Sequence, residues 1–165
     1  MKKLLSAAVF LTFIIPAIAF AGNDYGVVDI QKALSSLDSF NKERKEIQEL
    51  TLKAQEELKK IGGSIQKQQE DFIKKTNTLS ASAKKQKETE IKKKMSEYEK
   101  TAKNYEEKLK SMEKKFSEKY NTKIFEVLKQ VLKEKNLKII LEKDKVAYFE
   151  DSLDITDDVI KKLKN

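Results

Sequence analysis

The sequence predicts an α+β chain in which a long antiparallel coiled-coil helical hairpin projects from a small strand-bearing body. Three observations lead there. Apolar residues repeat at 3.5-residue spacing through the middle of the chain, a run of hydroxyl and Asn residues divides that middle in two, and short β-branched runs occur only towards its ends. The composition narrows the chemistry as well. The 165 residues hold 35 Lys+Arg against 27 Asp+Glu, 38% charged in all, with no His, Cys or Trp. Disulfides, Cys/His metal sites, thiol nucleophiles and His general bases are therefore excluded.

The first element is a targeting segment. Met1-Lys2-Lys3 form a basic start, Leu4 to Ile15 an apolar run, Pro16 a break, and Ala17-Ile18-Ala19 and Ala19-Phe20-Ala21 two small-residue cleavage sites. Residues 1–21 read as a secretory signal peptide cut after Ala21. The apolar run is shorter than the roughly 20 residues a spanning helix needs, which argues against a retained anchor. With no Cys for lipid attachment, the mature product is expected to be soluble. Sixteen of the 21 removed residues are apolar, so the mature chain has a thin apolar supply and suits an elongated form with a narrow hydrophobic seam.

Tyr25-Gly26-Val27-Val28-Asp29-Ile30 reads as a strand. A first arm follows from about Asp38 to Lys75, with Ile47, Leu50, Ala54, Leu58, Ile61, Ile65 and Phe72 along one side. Gly62-Gly63 falls inside it. Two adjacent glycines cost on the order of 2 kcal/mol relative to Ala in a helix interior, which predicts a bend or soft point. Thr76-Asn77-Thr78-Leu79-Ser80-Ala81-Ser82 is the expected reversal, because Ser, Thr and Asn side chains compete for backbone hydrogen bonds and favour caps and turns.

In the second arm Ile91, Met95, Tyr98, Ala102, Tyr105, Leu109, Met112 and Phe116 follow a strict 4-3 alternation, the signature of a coiled-coil seam that packs one arm on the other. Beyond Phe116 the positions become Tyr120, Ile124, Val127 and Val131. This inserts an extra four-residue step, which should locally unwind the supercoil. Asn136 is a candidate left-handed helix cap, and Leu137–Glu142 and Val146–Phe149 read as two strands joined by Lys143-Asp144-Lys145. The last element is a helix with Thr156 as N-cap, Ile155 and Ile160 as a hydrophobic staple, and Asp157 and Asp158 opposing Lys161, Lys162 and Lys164 along the macrodipole. These end pieces, 22–37 and 136–165, are too small for an isolated core, so several chains are expected to share one, with 38–135 as the arm.

The order of these elements resembles the Skp/OmpH family of periplasmic chaperones. The specific part is Leu137-Lys138-Ile139-Ile140-Leu141-Glu142, then Val146-Ala147-Tyr148, then Asp154-Ile155-Thr156-Asp157-Asp158-Val159-Ile160, with the run at 25–30 in support. The resemblance implies a homotrimer whose body is a small β-barrel built by all three chains, with hairpins projecting as tentacles around a cavity that holds unfolded outer-membrane proteins without ATP, cofactor or metal. Val27, Val28, Ile30, Leu137, Ile139, Leu141, Val146 and Tyr148 are the expected trimerisation residues.

Charge gives an independent account of holding. Residues 41–135 contain 26 Lys+Arg and 17 Asp+Glu, and within residues 74–94 Lys74, Lys75, Lys84, Lys85, Lys87, Lys92, Lys93 and Lys94 face only Glu88 and Glu90. Such a tip should accelerate encounter with acidic clients, and with anionic lipid or lipopolysaccharide surfaces, in a salt-dependent way. Leu79 is the expected apolar contact there. Nucleic acid is not an expected partner, since the chain is exported and the mature part has one Arg, Arg44. No GxSxG or other catalytic constellation occurs, so no enzyme is expected. The alternative reading is a structural coiled-coil envelope protein tethered to an anionic envelope component.

Overall fold

The computed structural model describes residues 24–165. The expected signal peptide, residues 1–21, and its expected cleavage site lie outside the described residues. Chain order is β1 (Tyr25–Val28), α1 (Ile30–Ser35), α2 (Asp38–Lys75), α3 (Ala81–Glu134), β2 (Ile139–Glu142) and α4 (Thr156–Lys164), with single 3₁₀ turns at Lys143–Lys145 and Asp151–Leu153. At 1.5 Å per residue α2 extends about 57 Å and α3 about 81 Å. The excess length of α3 carries it out of the arm and into the body.

The hairpin is antiparallel, and polar contacts across it fix the register. Glu43 meets Lys119 and Tyr120, Glu57 meets Tyr105, and Ser64 meets Lys94. The numbers in each pair add to between 158 and 163, which centres the reversal on residues 79–81. Ser80 ends the turn by accepting a hydrogen bond from the Ala83 N–H at 3.2 Å, a helix N-cap. The helix α2 continues through Gly62-Gly63 without a break in its helical hydrogen bonding. A Cβ at Gly62 would meet the Tyr98 ring of α3 at 3.8 Å, an ordinary contact, and one at Gly63 would meet open space.

The core sits at the root of the hairpin. Val28, Leu34, Leu37 and Phe40 pack with Tyr120, Ile124, Val127 and Val131 of α3, and with Leu137, Ile155, Val159 and Leu163. Phe40, Phe116 and Tyr120 form an aromatic triangle with centroids 4.9–5.0 Å apart. The change of spacing after Phe116 therefore marks where α3 stops packing on α2 alone and becomes the floor of the body. Each fully buried Val or Leu contributes roughly 1.5–3 kcal/mol, so a single chain already owns a compact core.

Several local expectations are corrected. The strand predicted through Ile30 ends at Val28, because the Asp29 side chain accepts the Lys32 N–H at 2.8 Å and starts α1; Ile30 is helical. Val146–Phe149 forms no strand, so Val146 and Tyr148 are not sheet residues. In place of a hairpin, β2 pairs in parallel with β1, Tyr25 opposite Ile139 and Val28 opposite Glu142, and the other side of β1 is bridged at Val27 by Asp154. One chain thus supplies a two-stranded sheet and closes no barrel among the described residues. Thr156 does not cap α4; its buried hydroxyl accepts the Asp29 N–H at 2.9 Å and ties α1 to α4, while the Asp154 carboxylate accepts the Thr156 N–H. Asn136 does adopt the left-handed cap, with φ 54°.

Candidate functional site

Two surfaces differ from the rest: the hairpin tip and the outer side of the body. At the tip the α2 C-terminus and the α3 N-terminus are joined by residues 76–80. Their half-charges of opposite sign are neighbours and offset one another, so the lysines set the sign of the field. Lys74 and Lys75 occupy the last turn of α2, and the first turn of α3 holds no acidic residue. Lys85, Lys92 and Lys93 are exposed, whereas Lys84 is half-buried. Lys87 pairs with Glu90 at 3.8 Å along the helix, a screened contact of little energetic weight. Lys94 is not free: it donates to the Ser64 Oγ at 2.8 Å across the arms. The eight lysines thus divide into an end cluster, a pair about three turns down α3, and Lys94, which ties the arms together.

Leu79 is half-buried. Its side chain borders a small notch of about 80 Å³ between the arms, together with Gln68, Phe72, Lys75, Lys87 and Ile91. Nothing in the spacing of Gln68 singles it out, because its place depends on where the turn lands.

On the body, Val27, Val28 and Leu137 are buried within their own chain, Ile30 and Val146 are half-buried, and Ile139, Leu141 and Tyr148 are 45%, 40% and 85% exposed. Tyr25, opposite Ile139 in the sheet, is 52% exposed. The outer face and free edge of β2 are therefore apolar and uncovered in one chain. Phe125, 61% exposed, was not foreseen from the sequence; it lies with Ile30, Leu34, Leu128 and Lys143 along an open groove of about 440 Å³. Its signal was present as two consecutive apolar residues, Ile124 and Phe125, one more than the seam requires.

Ionisation at the arm root is also shaped by structure. The hydrogen bond from Lys119, helped by the Tyr120 hydroxyl and opposed by partial burial, holds the Glu43 carboxyl below its ordinary range. The hydrogen bond to Glu57 raises the Tyr105 phenol. In the body, burial pushes Asp154 up, but hydrogen bonds from Thr156 and Lys143 prevail and lower it. Among the described residues no cluster of Asp and Glu is arranged to hold a metal ion, and no helix is long and apolar enough to cross a membrane.

Comparison with known proteins agrees with this architecture. No curated protein matches the sequence. A solved structure of a candidate outer membrane chaperone (OmpH-like) from Caulobacter crescentus superposes with a TM-score of 0.64 at 13% identity, covering 99% of this chain and 89% of that one. At that identity the match shows the shared fold. The family model for outer membrane protein (OmpH-like) matches residues 24–163, nearly every described residue from β1 to the end of α4. The chain belongs to the OmpH-like outer membrane protein family.

Proposed function

We propose that the protein is an ATP-independent holdase chaperone of the periplasm, exported by a cleaved signal peptide, that keeps unfolded outer-membrane proteins soluble on their way to the outer membrane. It works as a homotrimer. Three chains join through the uncovered β2 faces and edges, where Ile139, Leu141 and Tyr148 meet their neighbours and the strands of three sheets close a small barrel, while three hairpins surround a cavity.

The observation that carries this reading is the division of uncovered surface within one chain. On the outer sheet side of the body Tyr25, Ile139, Leu141 and Tyr148 are exposed together, whereas the arms expose an excess of lysine with apolar residues, Leu52, Ile73, Met95 and Tyr98, interspersed along them. The first suits permanent association of copies and the second suits transient capture of acidic, unfolded chains. Anionic lipid or lipopolysaccharide surfaces are secondary partners of the same lysines. Chemistry at the site is binding alone, and no cofactor takes part.

The test dilutes an unfolded outer-membrane barrel protein from denaturant into the purified mature protein and follows light scattering and sedimentation together. The expected result is a soluble complex of one client with three chains. A folded monomer at micromolar concentration, or aggregation of the client at the uncatalysed rate, contradicts the proposal. A tight complex with one envelope component and no hold on unfolded barrels would instead support the tether reading. Ile139→Asp separates assembly from folding: it should dissociate the trimer while the single-chain core around Val159 persists.

A further inference from the structure

Two features of the body are left uncovered in one chain, and they differ in kind: one is a groove and the other a protruding ring. The groove lies at the C-terminal ends of β1 and β2, between α1 and the root segment of α3, with Ile30, Leu34, Phe125 and Leu128 along it and a volume of about 440 Å³. Phe125 stands there because Ile124 is turned into the core and each helical residue is rotated by about 100° from the last. The ring is Tyr148, at 85% the most exposed large apolar side chain among the described residues. The two do not meet within a chain. The run that carries Tyr148 leads from the end of β2 to the bridge at Asp154 on the far side of β1, and its Phe149 is held beneath the Lys143 ammonium, 5.3 Å from the ring centre.

We infer that the groove around Phe125 receives Tyr148 of a second copy of this chain, so that each copy gives its ring to one neighbour and takes a ring from the other. The contact rests on the homotrimer proposed above and supplies its closure. A groove on one copy and a ring on the next are different surfaces, and such head-to-tail contacts form rings when the rotation closes, whereas a two-fold dimer repeats one surface. The groove also continues the uncovered β2 edge, since Glu142, Lys143 and Asp144 form its border. Size agrees with this occupant. Roughly 150 Å³ accepts a benzene ring, so the groove has room for Tyr148 with the residues beside it. Charge agrees as well. Asp29, Glu142 and Asp144 make the rim acidic, and Lys143 on the same rim is engaged by Asp154 at 3.2 Å. The incoming run begins with Lys145, whose own partner is the exposed Asp144 at 2.9 Å, a pair of little energetic weight that exchanges readily. A buried phenol needs a hydrogen-bond partner. Asn121 on the rim donates its Nδ2 to the Ser117 Oγ at 3.1 Å, which leaves its carboxamide oxygen to accept from the Tyr148 hydroxyl.

The test is sedimentation of the purified mature protein at micromolar concentration, as wild type, as Phe125→Asp, as Tyr148→Asp, and as an equal mixture of the two variants. Both positions are exposed in the single chain, so circular dichroism and melting should show each variant folded. Each variant alone is expected to lose the trimer, because the contact would bury an unpaired carboxylate. The mixture is expected to form one-to-one dimers and no trimers, since the intact ring of the Phe125→Asp chain meets the intact groove of the Tyr148→Asp chain and no second contact remains. Variants that stay trimeric, or a mixture that stays monomeric, overturn the contact even where the wild type is a trimer that holds unfolded barrels. A monomeric wild type removes the trimer and the contact together. Failure of a trimeric wild type to hold barrels removes the holdase reading alone, and the mixture still decides the groove.

Discussion

The root and the tip of the hairpin are made by the same two helices, yet different forces act on them. At the root, α3 is enclosed by α1, α2, β1 and α4, and Tyr120, Ile124, Val127 and Val131 are almost fully buried. Near the tip each arm has only the other to pack on; Ile91 is the one seam residue there that is fully buried, while Met95 and Tyr98 on the same stripe are 43% and 36% exposed. A two-helix seam covers one side of each helix and no more. The root can therefore hold the chain in one structure, whereas the arm is free to devote its surface to charge.

The sharpest way to break this contrast is to put a charge into the root. Val131→Asp places a carboxylate at a site 1% exposed. An uncompensated buried charge costs on the order of 3–5 kcal/mol, a large share of a typical total of about 5–15 kcal/mol, so thermal melting should show loss of cooperative unfolding. Next in size is Gly26→Val. A Cβ at Gly26 would already stand 2.9 Å from Ile155 Cδ1 and Leu137 Cδ1, and overpacking of this kind costs about 1–3 kcal/mol in denaturant midpoints. The arm should respond in the opposite direction. Gly62→Ala and Gly63→Ala fit the space available and should each stabilise by about 0.5–1 kcal/mol, visible as slower amide exchange in α2 with little change at the root.

The smallest effect concerns pH. Because the folded pKa of Glu43 is depressed, its contribution is complete above the ordinary value of 4.5 and is lost as pH falls through the lower folded value. Exchange protection near Phe40 and Tyr120 should decline in that acid window, and Glu43→Gln should remove the decline.

Much of this architecture was legible because it depends on local pattern. The 4-3 spacing from Ile91 to Phe116 and the polar run from Thr76 to Ser82 place the arms and their reversal to within a residue or two of α2 and α3. What could not be read depends on partners distant in sequence. Val146–Phe149 has strand composition but joins neither edge of the sheet: the far side of β1 holds the bridge to Asp154, and the free edge of β2 is left open within the chain. Gly62 lies beside Tyr98, 36 residues away, a neighbour that only the register of the hairpin supplies. At the tip the lysines are visible in sequence because exposed charges need no partner, whereas the tie from Lys94 to Ser64 and the place of Gln68 follow from register alone.

The central claim is that the root assembles and the tip captures. Its most direct test is the association rate of an acidic unfolded barrel with the wild type and with a variant carrying Lys84→Glu, Lys85→Glu, Lys92→Glu and Lys93→Glu, measured by stopped flow from low to high salt. The expected result is slower capture by the variant with helix content and sedimentation unchanged, and a wild-type rate that falls towards the variant's as the Debye length shrinks from about 10 Å at 0.1 M to about 3 Å at 1 M. A rate indifferent to both salt and charge reversal would contradict the claim and leave capture to apolar surface within the cavity.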